Sequence, residues 1–303
     1  MSNWFRTVPG IAVAIATAIP LHVASTQPAA SQRATPIAAI ACGSTTVSSA
    51  VSGELPTLRW QGDAAIKWTI WPTMLGPRKV AVRIVAVDVD PARLALSLEL
   101  ARKGSELLPW SLDAAPADAP LAMNAGQFTD EGPWGWVVHR GREWQAPGIG
   151  PLSGAFVVDS TGRIRIAAAS ALDSLRAAGG ILEALQSFPL VLHRGRAPRA
   201  LCDPTTALDR DHRDIRLALG VRSDGHVLIA LSRYDGVGRF AERLPIGPTT
   251  MEMAEVMRRL GAVDALMLDG GLSAQLLLRH GGVTHRWDGL RRVPLALVGR
   301  RIP

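Results

Sequence analysis

The run Leu268-Asp269-Gly270-Gly271-Leu272-Ser273-Ala274-Gln275 sets a carboxylate at the end of an apolar stretch, with two glycines behind it. A carboxylate closing a buried strand needs a partner. The amides of a Gly-Gly loop can cradle an oxyanion or a phosphate. Asp269 is therefore a candidate acid, base or metal ligand, set against the plainer reading of an Asp-Gly turn. In Met123-Asn124-Ala125-Gly126-Gln127-Phe128 a strand ends in Asn, which offers both a donor and an acceptor. Gly126 lets the backbone approach a ligand closely or take positive φ. The plainer alternative is a turn in which Asn124 caps its own backbone.

Asp209-Arg210-Asp211-His212-Arg213-Asp214-Ile215-Arg216 precedes a second strand. Arg216 heads that strand, and a guanidinium there can clamp a phosphate bidentately. His212 is a candidate acid or base. Asp211 and Asp214 read as part of a solvated charge run with local ion pairs. Trp134, Trp136 and Trp144 follow the Asn124 loop in a Gly- and Pro-rich region. Tryptophans on loops can stack on sugar faces, and Trp136 is taken as the binding candidate. Trp60, Trp68, Trp71 and Trp110 read as core fillers.

These side chains need a scaffold, and the composition allows one. The chain has 303 residues, 48% of them hydrophobic and 19% charged, enough to bury a large core. Outside the N-terminus no 20-residue apolar run exists, which excludes a multi-span membrane protein. The net charge of +7 comes almost entirely from arginines that are scattered rather than striped. No nucleic-acid motif accompanies them, so nucleic acid is not expected as a partner. There is no Cys-x-x-Cys or His-Glu-x-x-His, no Gly-x-Ser-x-Gly elbow, no Walker loop and no dinucleotide fingerprint. The sequence requires no cofactor, and a divalent metal stays open.

Lys79 to Val89 and Leu94 to Leu100 alternate as strands around Asp90-Pro91, a hairpin-like start. Leu121 to Asn124, Gly135 to His139, Ala155 to Asp159, Ile164 to Ala168, Ala265 to Leu268 and Pro294 to Val298 are further strands. Leu217 to Val221 and His226 to Leu231 form a hairpin around Ser223-Asp224-Gly225. Two helices are expected. Ile181 to Ser187 is short; Thr250 to Leu260 is amphipathic, with Thr249 and Glu252 forming a capping box. The expected class is α+β, with a mixed, largely antiparallel sheet core and a few flanking helices.

Residues 1–25 carry Arg6, then a mostly apolar stretch, then small residues, the pattern of a secretory signal. Residues 26–57 read as a flexible N-terminal segment and 58–303 as the domain. The expected location is outside the cytoplasm, periplasmic or secreted, with no membrane segment beyond the signal. In an oxidising compartment Cys42 and Cys202 suggest one disulfide tying the N-terminal arm to the body; the alternative is two buried thiols.

Taken in order, several pieces resemble the phosphodiester glycosidase family, whose members include the enzyme that uncovers mannose 6-phosphate and bacterial relatives linked to exopolysaccharide. They are Asn124-Ala125-Gly126-Gln127-Phe128, Gln186-Ser187-Phe188-Pro189-Leu190-Val191, and Arg216-Leu217-Ala218-Leu219-Gly220-Val221 with Asp224-Gly225. The strongest is the Thr249 helix leading through Gly261 to Leu268-Asp269-Gly270-Gly271-Leu272-Ser273, and Arg292-Val293-Pro294-Leu295-Ala296-Leu297 closes the set. The likeness spans roughly residues 79–299. The chain departs from the family at Met267, where Asn is usual, at Leu272, where a third Gly is usual, and at Ala274, where a hydroxyl residue is usual. It also departs at Leu192-His193-Arg194-Gly195, where an acidic or Gly-rich context is usual. Met267 and Leu272 would alter the loop beside the site.

The resemblance implies hydrolysis at the anomeric carbon of a sugar 1-phosphodiester, in an envelope or extracellular glycan. On that reading Asp269, Arg216 and Asn124 are the catalytic set. Arg216 and the Gly270-Gly271 amides receive the phosphate, Asp269 serves the oxocarbenium-like sugar or activates water, and Asn124 orients hydroxyls or phosphate. Gly126, Gln127, Gly270, Gly271, Ser273, Trp136 and His212 are the substrate-binding candidates, with Glu131 and His212 as reserve acid-base groups. The competing expectation is an inactive glycan-binding or exopolysaccharide assembly factor on the same fold.

Overall fold

Val80–Val89 carries apolar side chains on both faces, which suits a strand covered on both sides. In the computed structural model, residues 58–303 are described apart from 101, 104, 105, 152, 207 and 237–240, together with Ile40 and Cys42. The expected signal at 1–25 and all of 26–57 but those two residues lie outside the described residues.

Val80–Val89 occupies the interior of a seven-stranded sheet, flanked by Ile66–Leu75 and Val227–Tyr234. Beyond Val227–Tyr234 lie Leu217–Arg222, Ala262–Met267 and the edge strand Leu190–Leu192. Val85, Val87 and Val89 face one core, and Val82, Ile84 and Ala86 face another. The first core is shared with two five-stranded sheets. One runs Val283–Trp287, Leu276–His280, Leu121–Asn124, Leu295–Arg301, Leu94–Leu100. The other runs Arg142–Gln145, Val137–His139, Ile181–Ser187, Gly154–Asp159, Ile164–Ala168. The second core is closed by the Thr250–Arg259 helix through Met251, Met253, Ala254 and Met257. Its Thr249–Glu252 capping box forms as the sequence predicts. The same Glu252 takes a bidentate pair from Arg213 at 2.7 Å, fixing the 209–216 segment to the helix start.

The class is α+β with a sheet core, as expected. Every strand pairing among the described residues is antiparallel.

Three expectations are corrected. Ile181–Ser187 is a strand, central in its sheet. Its apolar residues at 181, 182, 184 and 185 follow helical spacing, whereas the strand buries Glu183 and Gln186 by giving them hydrogen-bond partners across the fold. The helix lies just upstream, at Leu172–Ala178. Val80–Val89 and Leu94–Leu100 do not pair as a hairpin, because the turn at Asp90 carries the chain from the large sheet to another one. Leu94, Leu96 and Leu98 then pack face to face with Val85, Val87 and Val89 in one core. Trp60 is 37% exposed rather than a core filler.

Cys42 and Cys202 are bonded, with Cα atoms 5.5 Å apart across 160 residues of sequence. Ile40 is buried against the Thr250–Arg259 helix, its amide donating to Met251 O at 3.2 Å. Cys202→Ser should therefore destabilise the protein by about 2–5 kcal/mol. Chemical unfolding with and without reductant checks this: wild type under reductant should fall to the variant's stability.

Candidate active site

Four chain segments meet where the sheets end. Leu268 N donates to Leu217 O at 2.8 Å, Asp269 N to Ala125 O at 3.3 Å, and Gly271 N to Ile215 O at 2.8 Å. Ser187 Oγ donates to Met267 O at 2.7 Å. The end of Ala262–Met267 is thus bonded to the end of Leu121–Asn124, the start of Leu217–Arg222 and the turn after Ile181–Ser187.

Asp269 is half-buried at this junction. Burial raises its carboxyl above the usual aspartate range. The Ser273 hydroxyl, the Arg291 charge and the Gly270 amide oppose that rise, and the Asp214 charge adds to it. The Asp269 carboxyl is thereby left more basic than an exposed aspartate.

Gly270 packs against the segment carrying the cation. A Cβ there would stand 2.5 Å from Ile215 O and 3.7 Å from the Arg216 Cα, so no larger residue fits. Arg216 donates through Nη2 to His212 O at 2.7 Å and through Nε to Pro248 O at 3.3 Å. Among the described residues it forms no ion pair; burial lowers its proton affinity, with Asp214 and Asp209 acting against that. A half-buried guanidinium held by carbonyls, with no carboxylate partner, is a ready anion site. It lines a cleft of about 1080 Å³ that also holds Phe188, Pro189, Leu190 and His212 on its walls.

Several candidates play other parts than expected. Asn124 is fully buried, with Nδ2 donating to Asp269 O at 2.7 Å and Oδ1 accepting from Gln275 N at 2.9 Å. Both ends of its amide are spent on backbone, so it positions the Asp269 loop and does not orient a substrate hydroxyl. Gly126 has ordinary φ, and its close approach is to Gln186 O, 2.9 Å from an added Cβ, rather than to a ligand. Gln127 donates to Phe188 O at 3.1 Å and its Oε1 accepts from Phe188 N at 3.4 Å, which fixes the turn before Pro189. The Gly271 amide is spent on Ile215 O and cannot receive a phosphate. Ser273 is buried and acts through Asp269. His212 stands at the cleft, largely exposed, 4.0 Å from Asp214 Oδ2.

Trp136 is not a sugar platform. It is 1% exposed, and its Nε1 donates to Glu143 at 2.8 Å. Trp136→Ala should destabilise the fold by about 3–5 kcal/mol in chemical unfolding, the range for emptying an aromatic core position. The tryptophan that borders the site is Trp134, half-buried and edge-on to Phe188 at 5.5 Å.

A family model described as phosphodiester glycosidase matches residues 117–299. The chain belongs to the phosphodiester glycosidase family. The matched span takes in Asn124, Arg216 and Asp269. Among solved structures, the chain is similar to the catalytic domain of zebrafish N-acetylglucosamine-1-phosphodiester alpha-N-acetylglucosaminidase, auto-inhibited by its pro-peptide. That match has 14% identity and a TM-score of 0.62, covering 81% of this chain and 88% of that one. It is also similar to a hypothetical protein from Synechocystis, at 17% identity and a TM-score of 0.51, covering 82% of this chain and 64% of that one. At these identities the likenesses show a shared fold. No curated protein matches the chain.

Of the positions where the resemblance expects other residues, Met267, Leu272 and Ala274 have their side chains in the core or in solvent, whereas His193 lines the cleft beside Arg216. Met267 is 2% exposed in the core beneath the helix, with Met251 and Met253. Leu272 turns an exposed side chain to solvent while its carbonyl holds the amides of Leu290 and Arg291. Ala274 is fully buried, and its carbonyl accepts from Arg233 at 2.8 Å.

Two neighbours of Asp269 escape sequence reasoning. Asp214 is not simply a member of a solvated charge run: an added Cβ on Gly271 would lie 2.9 Å from its Oδ2. Arg291 stacks over the Phe128 ring at 4.6 Å and places a positive charge near Asp269. The Arg291-Arg292 pair is visible in the sequence, but nothing local ties it to a residue 22 positions away.

Proposed function

We propose that this phosphodiester glycosidase family member is an active hydrolase on sugar 1-phosphodiesters. The observation that carries the reading is the junction itself, where the loop of the half-buried Asp269, its carboxyl raised, packs on the backbone of Ile215 and Arg216, and where the Arg216 guanidinium forms no ion pair among the described residues. Water adds to the anomeric carbon, the bond from that carbon to the bridging oxygen breaks, and a phosphomonoester departs. Asp269 as carboxylate stabilises the oxocarbenium-like sugar or takes the proton of the attacking water. Arg216 balances the charge that builds on the departing phosphate. A phosphate already leaves readily, so a dedicated general acid matters less than for an ordinary glycoside.

Trp134, with Phe188 behind it, is the surface suited to the sugar's apolar face. Among the described residues, no group of three or more His, Cys, Asp or Glu is placed to hold a metal, and the roles above use none. We further infer an exported protein acting on envelope or extracellular glycan. The signal-like residues 1–25 and the Cys42–Cys202 bond support that placement.

The test is a panel of sugar 1-phosphodiesters, including nucleotide sugars, with products identified in ¹⁸O-water. The reading expects free sugar carrying the label and an unlabelled phosphomonoester. Label in the phosphate would mean cleavage at phosphorus and would overturn the mechanism. Binding without turnover across the panel would favour a glycan-binding factor.

A further inference from the structure

The cleft beside Arg216 has a chemistry that the reaction alone does not demand. Its walls come from Ala169, Pro189, Leu190, Ala197, Leu201 and Leu208. Polar groups stand among them as Arg216, His212, His193, Arg199 and Asp209, with Ser153, Ser170, Thr206 and Thr250. Asp269, Gly270 and Gln127 are not part of its lining, so the cleft lies beside the carboxylate and not around it. The link between them is Arg216: its backbone packs on Gly270, and its side chain lines the cleft. On the proposed activity, a phosphodiester whose sugar lies at Asp269 and whose phosphate is held by Arg216 would send its other ester arm into this cleft.

Resting on the proposed activity, we infer that the cleft is the aglycone subsite and that the aglycone is an aliphatic chain, so that the substrate class is a sugar 1-phosphate esterified to a lipid-like alcohol. Ten of the lining residues are alanine, leucine or proline, which bury a hydrocarbon chain without supplying hydrogen bonds. A polar glycan arm would leave hydroxyls unpaired over the alanine, leucine and proline stretch of the wall. A nucleoside arm would want a flat partner for its base. The planar groups among the described lining residues are Phe188, edge-on to Trp134, with His193, His212, Arg199 and Arg216, so a nucleoside arm is the direct competitor in the test below.

The experiment titrates the full chain with methyl, butyl and octyl phosphate, each below its micelle concentration, by calorimetry at fixed ionic strength. Uridine monophosphate and octanol serve as comparison ligands. Each buried methylene should tighten binding about three- to fourfold, so octyl phosphate should exceed butyl phosphate by on the order of 100-fold. Ala169→Gln and Ala197→Gln should flatten that chain-length dependence. Equal affinity for methyl and octyl phosphate, or tighter binding of uridine monophosphate than of octyl phosphate, overturns the aliphatic subsite. If Arg216→Ala still abolishes methyl phosphate binding in that case, the phosphate position survives and the aglycone assignment alone fails. If octanol binds as well as octyl phosphate and Arg216→Ala changes neither, the phosphate position fails as well.

Discussion

Asp269→Asn should lower turnover of a sugar 1-phosphodiester by at least about two orders of magnitude while leaving the fold as stable as before, or more so. The two effects have one origin. Burial disfavours the charged carboxylate, and Asp214 adds like charge to it. In the folded protein the carboxyl therefore holds its proton more tightly than in the unfolded chain. Well above both values the group is ionised in both states, and the folded state bears the full cost of the buried charge. That cost fades as pH falls through the raised folded value. Asn keeps the shape and an acceptor for Ser273 but carries no charge, so at neutral pH it removes the cost. A thermal melt should show no loss, and a gain is the expected direction. The raised value also places the acid limb of the wild-type pH–rate profile above the ordinary aspartate range. A full-rate Asn variant would remove Asp269 from the mechanism; a slow but unfolded one would make it structural.

Arg216→Ala is the second large effect, again at least about a hundredfold in turnover. The guanidinium is fixed by the carbonyls of His212 and Pro248, and no carboxylate neutralises it among the described residues. Its remaining donors are free for an anion in a partly desolvated place, where charge-assisted hydrogen bonds are strongest. Arg216→Lys should recover only part of the loss, because an ammonium cannot hold the two carbonyls and a bidentate phosphate together. The decisive readout is kcat measured apart from KM. A fall in kcat marks charge stabilisation in the transition state, whereas a rise in KM alone would reduce Arg216 to ground-state binding.

The sequence made the site's centre legible because its signals are local. Asp269 follows an uninterrupted apolar run, Arg216 heads an alternating strand, and Thr249 with Glu252 spells a helix start. All three need only neighbours in sequence to be read. What stayed hidden depends on pairing across the fold. Asn124 reads as a ligand-facing amide until Gln275, 151 residues on, claims its oxygen. Trp136 and Trp134 lie two residues apart in one Gly-rich loop, and only the Ile181–Ser187 strand, with Gln186 bonding Trp136, decides which is buried. That strand is itself unreadable locally, since the apolar spacing of Ile181, Leu182, Ala184 and Leu185 fits a short helix, and Glu183 and Gln186 are buried only by partners far along the chain. Asp214 and Arg291 act on Asp269 through space alone. Met267, expected to alter the loop beside the site, is turned by the alternation of its strand into the core under the helix.

The measurement that bears most directly on the central claim is release of reducing sugar from a sugar 1-phosphodiester by the wild-type chain and by Asp269→Asn, side by side. The account predicts release by the wild type and its loss in the variant, with both proteins folded. Equal release by the two would contradict the assignment of Asp269, and no release by a folded wild type from any member of the panel would contradict the activity itself.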